Sequence, residues 1–310
     1  MSRLSVIVVS YNTHDILRRC LASLGDADEV IVVDNGSVDK SADMVAEEFP
    51  QVRLIRNQTN RGFGAANNQG LDVMTGDVAL LLNSDCQALP KALHRMLEVM
   101  DTVPGVVACG GRLEHPDGRL QQSCCSPLTL WAVFCEQSFL EKIFRGSPVF
   151  DPYWLSARLI VKSDSDVFEV AQVMGACLMM RPVERFDERF FLYCEDTELC
   201  KRLSNHGIIM YVPEAAFVHE LGSSTKVRWQ AVARYNRGKE LYFLIHHDRL
   251  SWRVAVTLDR FGAVIRLLGW GVAAVATLGL WERARTNLVG FFRVLTAPLE
   301  GPPLPADSRG

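Results

Sequence analysis

Carboxylates stand at the ends of apolar runs in this chain of 310 residues. Asp34 closes EVIVV, Asp85 follows DVALLLNS, and the pair Glu195-Asp196 comes directly after the aromatic-rich FFLYC. Hard divalent cations take oxygen ligands and keep coordination positions open for phosphate, so Asp85 suits a cation that meets a phosphorylated ligand. Acids at a helix start are stabilised by the helix dipole, and an aromatic approach places them in a partly dry pocket, which suits a proton acceptor. The polar ends Ser10-Tyr11-Asn12, Asp34-Asn35-Gly36-Ser37, Arg56-Asn57 and Asn83-Ser84-Asp85 also have a plainer explanation as turn and cap residues. For one such end the plain explanation is the better one; four in succession, two of them with carboxylates, favour a site. A histidine, His219, closes a further apolar run from Ala215 to Val218, where packing at a strand end is the ordinary alternative.

The elements that must hold these residues are legible in the periodicity. Ser5 to Val9 and Glu29 to Val33 are continuous β-branched runs, the pattern of strands buried on both faces. Between them, His14 to Leu24 sets Ile16, Leu17, Cys20, Leu21 and Leu24 at helical spacing. The alternation continues with helices at 41–49, 64–74 and 91–99 and strands at 52–56 and 78–82, with Pro90 at the entrance of the last helix. Four strands alternating with helices predict an α/β fold with a mainly parallel, doubly wound sheet. In such sheets ligands sit beyond the carboxyl ends of the strands, where the polar clusters fall. Further on, 106–113 reads as a strand, 116–118 as a turn, and 170–180 as a buried strand broken by Gly175. A helix is expected at 195–206, stopped by Gly207, and a strand at 208–212. Residues 121–165 are aromatic-rich with weak periodicity, and are expected to form a mobile or substrate-facing insert.

Composition narrows the class. Nine cysteines without a CxxC pair suggest neither a zinc ribbon nor a secreted disulfide framework, and a reducing cytoplasm fits best. The opening MSRLSVIVVSYN lacks the long apolar core of a signal peptide. A net charge of −3 hides an asymmetry: residues 1–225 hold 20 Lys/Arg against 30 Asp/Glu, whereas 226–293 hold 12 against 4. The acidic body argues against a nucleic-acid groove, and the basic segment rich in Trp, Leu and Val suggests an anionic membrane surface.

The motifs resemble those of the inverting family 2 glycosyltransferases of the GT-A fold, particularly the rhamnosyltransferase-like members that build bacterial surface polysaccharide. The resemblance is carried by VVSYN (8–12), VVDNGSVDKS (32–41), RNQTNRGFGAANNQGL (56–71), LLNSD (81–85), GACLMMRP (175–182), FDERFFLYCEDTELCKRL (186–203) and VPEAAFVHELGSST (212–225), and spans about residues 4–245. It implies a Rossmann-like GT-A catalytic domain over 1–245, with a nucleotide-binding half at about 1–110 and an acceptor half at about 111–245. It further implies that Asp85 is the metal-binding carboxylate of a DxD-like motif, here Asn83-Ser84-Asp85 without the usual first acid. By the same resemblance His219 completes the metal site, for Mn²⁺ or Mg²⁺. Asp196 is then the base that takes the acceptor proton, and Glu195 orients it or contacts the acceptor. Asp34 resembles the acid that accepts from the N3–H of uracil or thymine, with Ser10, Tyr11 and Asn12 flanking the ring. Asn60, Gly62, Phe63, Asn67 and Ser84 fall in the implied nucleotide site, and Gly175 and Ala176 near the sugar and acceptor. The resemblance implies transfer from a UDP- or dTDP-sugar, with dTDP-L-rhamnose favoured, to a glycan or polyprenyl-diphosphate-linked acceptor.

The segment 246–298 is expected to form amphipathic helices that lie on the membrane, followed by a disordered tail at 299–310. Its charge-free run Leu267 to Trp281 is 15 residues long, short of the ~20 that span a bilayer. Flanking Arg260, Arg266, Arg283 and Arg285 and the tryptophans at 252, 270 and 281 favour an interfacial helix pair at the inner face of the cell membrane. A homodimer interface is the competing reading of the same run. Two other functions weigh against the main one. A nucleotidyltransferase would carry a glycine-rich basic loop near the start, where this chain has SVIVVSYN. A non-catalytic nucleotide-sugar-binding scaffold would fit the missing first acid but not the retained Asp85, Asp196 and His219.

Overall fold

The computed structural model describes residues 1–160, 167–220, 228–278 and 280–297. The chain folds into two compact units. Among the described residues the first comprises 1–127, 154–191 and 195–220, and the second 128–153, 192–194 and 228–297.

The first unit opens with the expected alternation: β1 (Leu4–Ser10), α1 (His14–Ala22), β2 (Glu29–Asp34), α2 (Ser41–Glu48), β3 (Arg53–Arg56), α3 (Phe63–Val73) and β4 (Val78–Asn83). β5 (Cys86–Ala88), α4 (Ala92–Thr102), β6 (Val106–Glu114) and β7 (Cys124–Cys125) follow. Residues 128–153 belong to the second unit and carry α5 (Leu130–Gln137) and α6 (Leu140–Ile143). The first unit resumes with α7 (Ser156–Ile160), β8 (Phe168–Val170), β9 (Gln172–Val173), β10 (Cys177–Met180), α8 (Glu195–Leu203) and β11 (Ile208–His219). The main sheet has the order β3-β2-β1-β4-β10-β6-β11-β5, with β8 also paired to β11. β3, β2, β1 and β4 are parallel, β10 is antiparallel to both its neighbours, and β11 is parallel to β6.

The β-branched runs form this sheet because both faces are covered. Val6 and Val8 pack with Leu17, Leu21 and Met96 on one side, and Ile7 packs with Ala66 and Leu71 on the other. The alternation along β1 distributes its side chains between two helical layers, which is why the run reads as continuously apolar.

Two segments differ from expectation. The stretch 170–180 is not one interrupted strand. β9 leaves the main sheet to pair with β7, and the Cys177 amide donates to the Met174 carbonyl (3.1 Å) in the turn that precedes β10. The strand expected at 208–212 runs on to His219. Pro213 has no amide for the ladder, and β11 absorbs it in an irregularity between Val212 and Ala216 before pairing resumes with Arg112, Leu113 and Glu114. Residues 121–160, where the periodicity is weak, carry β7, α5, α6 and α7; residues 161–166 and the tail at 298–310 lie outside the described residues.

The second unit adds α9 (Arg228–His246), α10 (Arg249–Ala276) and α11 (Glu282–Thr296) to α5 and α6. Asp248 caps α10 by accepting from the Ser251 amide (2.7 Å). Leu128, Val133, Tyr242, Phe243 and Ala255 form one core, and Ala233, Ala263, Phe291 and Val294 another. Arg260 donates to the carbonyls of Leu295 (2.9 Å) and Ala297 (2.8 Å), satisfying the C-terminal end of α11. Among the described residues no helix is long and apolar enough to cross a membrane.

Candidate active site

The carboxyl ends of β1, β2 and β4 carry the polar clusters, and the site is built from them. At the end of β4 the Asn83 amide donates to the Ala176 carbonyl (3.1 Å), and the chain turns through Ser84 and Asp85 into β5. β5 runs antiparallel to β11 with Cys86 opposite His219, and the Glu220 amide donates to the Asp85 carbonyl (2.9 Å). That register brings His219 Nε2 to 3.2 Å from Asp85 Oδ1, with both side chains buried. The other ring nitrogen, Nδ1, lies 2.9 Å from Gln121 Oε1.

Asp85, Cys86 and His219 bring potential ligand atoms within 4.8 Å of one another. Cys86 is spoken for: its thiol donates to the Ala176 carbonyl (3.3 Å), and burial pushes its pKa far above the ordinary thiol value. The remaining donors, one carboxylate oxygen and one imidazole nitrogen, fit a cation such as Mn²⁺ or Mg²⁺. Both groups are buried, and their 3.2 Å separation fits a direct hydrogen bond as well as a shared cation.

The two residues of the Gly175-Ala176 turn link this pair to the acids of α8. The Ala176 carbonyl holds Asn83 and Cys86, and the Gly175 amide donates to Asp196 Oδ2 (2.8 Å). Asp196 Oδ1 accepts from the Thr197 amide (2.8 Å) at the helix start. Burial raises the Asp196 pKa above its usual value in spite of these amides, which pull the other way. Glu195 is buried beside it in sequence. Gly175 is closely packed: a Cβ there would lie 3.2 Å from the Phe63 ring and 3.3 Å from Asp196 Cβ, so its neighbours would have to shift by a few tenths of an ångström.

At the ends of β1 and β2, Asp34 is 3% exposed; its Oδ2 accepts from the Ser37 amide (3.0 Å), and its Oδ1 is buried with no hydrogen-bond partner among the described residues. An acceptor in that state suits a ligand N–H. Ser10, Thr13 and Ser84 form a buried hydroxyl chain (3.0 and 3.1 Å) that ties the ends of β1 and β4 together. Asn12 takes a left-handed conformation (φ 56°), and its side chain accepts from the Val38 amide (2.8 Å). Tyr11 is half-buried beside these residues in the chain. The loop before α3 is held by Asn60, whose side chain accepts from the Gly62 amide (2.9 Å). Gly62 has φ 90°, and a Cβ there would sit 2.6 Å from the Phe191 carbonyl, so only glycine fits. Phe63 packs edge-on against Phe186 (5.9 Å between ring centres), and Asn67 turns inward to donate to the Phe63 carbonyl (3.0 Å) within α3.

Three supporting residues escape sequence reasoning. Buried Asn35 donates to Asn60 and to the Gly62 carbonyl and accepts from the Arg61 amide, which fixes the 57–62 loop. Asn68, one position beyond Asn67, exchanges hydrogen bonds with the main chain of Phe186. Gln121 reaches His219 from across the sheet. The first two lie in polar clusters the sequence did show, whereas nothing local marks Gln121.

Known proteins resemble the chain in sequence and in fold. Residues 5–145 match the model of Glycosyl transferase family 2. An N-acetylglucosaminyl-diphospho-decaprenol L-rhamnosyltransferase of Mycobacterium tuberculosis is 30% identical over 250 residues, covering 72% of this chain and 77% of the relative. The fold is similar to that of the mannosyltransferase PcManGT from Pyrobaculum calidifontis, solved with GDP-Man and Mn²⁺ (TM-score 0.54, 16% identity, 95% of this chain and 85% of that one). It is also similar to S. aureus TarS (TM-score 0.50, 16% identity, 95% and 81%). The sheet with its flanking helices is thus the α/β GT-A arrangement, and the chain belongs to glycosyl transferase family 2 as a rhamnosyltransferase-like glycosyltransferase.

Proposed function

We propose that the enzyme transfers a sugar, with inversion, from a nucleotide diphosphate donor to a polyprenyl-diphosphate-linked glycan. The observation that carries this reading is the Gly175-Ala176 turn, which anchors Asp196 on one amide and the end of the Asp85 strand on the next carbonyl. A base and a phosphate-facing carboxylate are thereby fixed to one short segment. Asp196 takes the proton of the acceptor hydroxyl as that oxygen attacks the anomeric carbon. The bond from that carbon to the diphosphate oxygen breaks, and the nucleoside diphosphate leaves with the electron pair. A raised pKa suits Asp196 to accept that proton, because a base is most effective when its pKa approaches the working pH. Glu195, next in the chain, orients the base or the acceptor.

Asp85 and His219 would hold the divalent cation, which offsets the charge that develops on the departing diphosphate. Asp34 Oδ1 receives the N3–H of the base, while Ser10, Tyr11 and Asn12 border it. Asn60, Gly62, Phe63, Asn67 and Ser84 shape the nucleotide side, and Gly175 and Ala176 the sugar side. The mycobacterial relative is named an L-rhamnosyltransferase acting on N-acetylglucosaminyl-diphospho-decaprenol. We therefore assign dTDP-L-rhamnose as donor and a diphospho-polyprenol-linked N-acetylhexosamine as acceptor, in the synthesis of cell-surface polysaccharide.

Such an acceptor lies in a membrane, and the second unit offers a surface for it. Leu268, Val272, Val275, Leu278 and Leu280 are 66–88% exposed, with exposed Arg283 and Arg285 just beyond. An apolar end followed by cations fits peripheral binding to an anionic bilayer from the cytoplasmic side. In this reading residues 1–245 catalyse and 246–298 attach, with α5, α6 and α9 packed in the second unit beside the attaching helices. The test is transfer of radiolabelled sugar from dTDP-L-rhamnose, UDP-N-acetylglucosamine and GDP-mannose to polyprenyl-diphospho-N-acetylglucosamine in vesicles. Label in the lipid fraction from dTDP-L-rhamnose alone supports the assignment; label from another donor, or none, contradicts it.

A further inference from the structure

We propose that Gln121 is a positioning residue that fixes the tautomer of His219 and so keeps one ring nitrogen open for the cation. This inference rests on the metal reading of Asp85 and His219. Gln121 follows the turn after β6, where its amide donates to the Leu113 carbonyl (2.8 Å), and it is 5% exposed. Its side chain makes two contacts with residue 219. Nε2 donates to the His219 main-chain carbonyl (2.6 Å), and Oε1 lies 2.9 Å from His219 Nδ1. Nε2 also lies 3.2 Å from His115 Nδ1.

The orientation of this amide follows from hydrogen-bond chemistry. A main-chain carbonyl only accepts, so the group facing it must be the NH₂. The amide oxygen is left for Nδ1 and also only accepts, so Nδ1 carries a hydrogen. In the neutral ring Nε2 then turns its lone pair toward Asp85 Oδ1, 3.2 Å away, as a shared cation requires. Without Gln121, a neutral His219 would satisfy itself in the other way, with an Nε2–H donating to Asp85. That hydrogen bond would occupy both ligand atoms at once. Gln121 opposes it, because an Nε2–H tautomer would set a bare Nδ1 lone pair against Oε1, and the grip of the amide on the main chain holds that oxygen in place.

The experiment uses the full-length protein with dTDP and Mn²⁺, reading free Mn²⁺ by electron paramagnetic resonance. Gln121→Met keeps the length of the side chain and removes the acceptor; Gln121→Glu keeps an acceptor for Nδ1–H. Mn²⁺ binding is expected to weaken by about 10- to 100-fold in Gln121→Met and by less in Gln121→Glu, which keeps the acceptor for Nδ1–H but loses the donor to the His219 carbonyl. Metal-free dTDP affinity should be equal in all three proteins, and excess Mn²⁺ should restore transfer by Gln121→Met. Equal Mn²⁺ affinity in Gln121→Met and wild type would overturn the role of Gln121 while leaving the metal reading intact, as would equal loss in both variants. Absence of Mn²⁺ binding by wild type would overturn the metal reading and this inference together. If Gln121→Met does not fold, ¹⁵N shifts of the wild-type His219 ring with Mg²⁺ and dTDP decide: an Nδ1–H tautomer supports the proposal, and an Nε2–H tautomer overturns it.

Discussion

Asp196 has both carboxylate oxygens on backbone amides, Gly175 and Thr197, and still has a raised pKa because its surroundings are dehydrated. Those amides hold the carboxylate in place without neutralising it, which leaves it able to take a proton. Asp196→Asn preserves the shape and removes the basicity. Transfer should fall by about 10²- to 10⁴-fold, with nucleotide affinity by calorimetry unchanged. Equal loss of both would assign Asp196 a structural part instead. In wild type, the acid limb of the rate profile should lie above the ordinary aspartate value, since the base must be ionised and burial raises its pKa. Asp34, Asp85, Asp196 and His219 were legible in the sequence because each closes an apolar run or opens a helix, where local pattern and position coincide. Gln121 was not, because its contact with His219 depends on a strand register between segments 98 positions apart.

β11 shows how an element can be misread for a sound local reason. Pro213 argues against a continuing strand, yet the irregularity after Val212 accommodates it, and pairing resumes in time to set His219 opposite Cys86. The long strand is what brings a histidine of the last third of the chain beside Asp85. In the second unit, the helices bury an ionic cluster. Lys239 Nζ lies 2.8 Å from Glu136 and 2.9 Å from Asp259, and burial raises the pKa of Glu240 from 4.5 to about 7. Asp259 raises it further, while Arg260, Lys239 and Arg237 oppose the shift. Between these two values the native state keeps a proton that the unfolded chain releases, so stability should fall as pH rises from about 4.5 to 7. Five of the six tryptophans lie in this unit, so urea unfolding followed by tryptophan fluorescence reports on it. The midpoint should be lower at pH 8 than at pH 5, and Glu240→Gln should flatten that difference. A pH dependence unchanged in Glu240→Gln would place the titration elsewhere.

For the molecule as a whole, the charge asymmetry and the apolar end of the second unit point the same way. The sequence showed the basic, tryptophan-rich segment, and its periodicity gave helices. Which side chains remain uncovered required the three-dimensional packing, because α10 buries one face at Ala255, Asp259 and Ala263 and leaves Leu268, Val272 and Val275 open. Full-length protein should co-sediment with vesicles rich in phosphatidylglycerol. The double change Leu268→Glu and Val272→Glu should weaken that binding by at least about tenfold with the thermal midpoint unchanged, since both side chains are already exposed. Unaltered binding would remove this surface from the account. The central claim, a nucleotide site completed by a cation on Asp85 and His219, is tested most directly by calorimetric titration with dTDP, UDP and GDP, each with and without Mn²⁺. We expect Mn²⁺ to tighten the binding of dTDP or UDP, a gain that Asp85→Asn abolishes, and GDP to give no heat. Binding that ignores both the metal and the Asp85 substitution would contradict it.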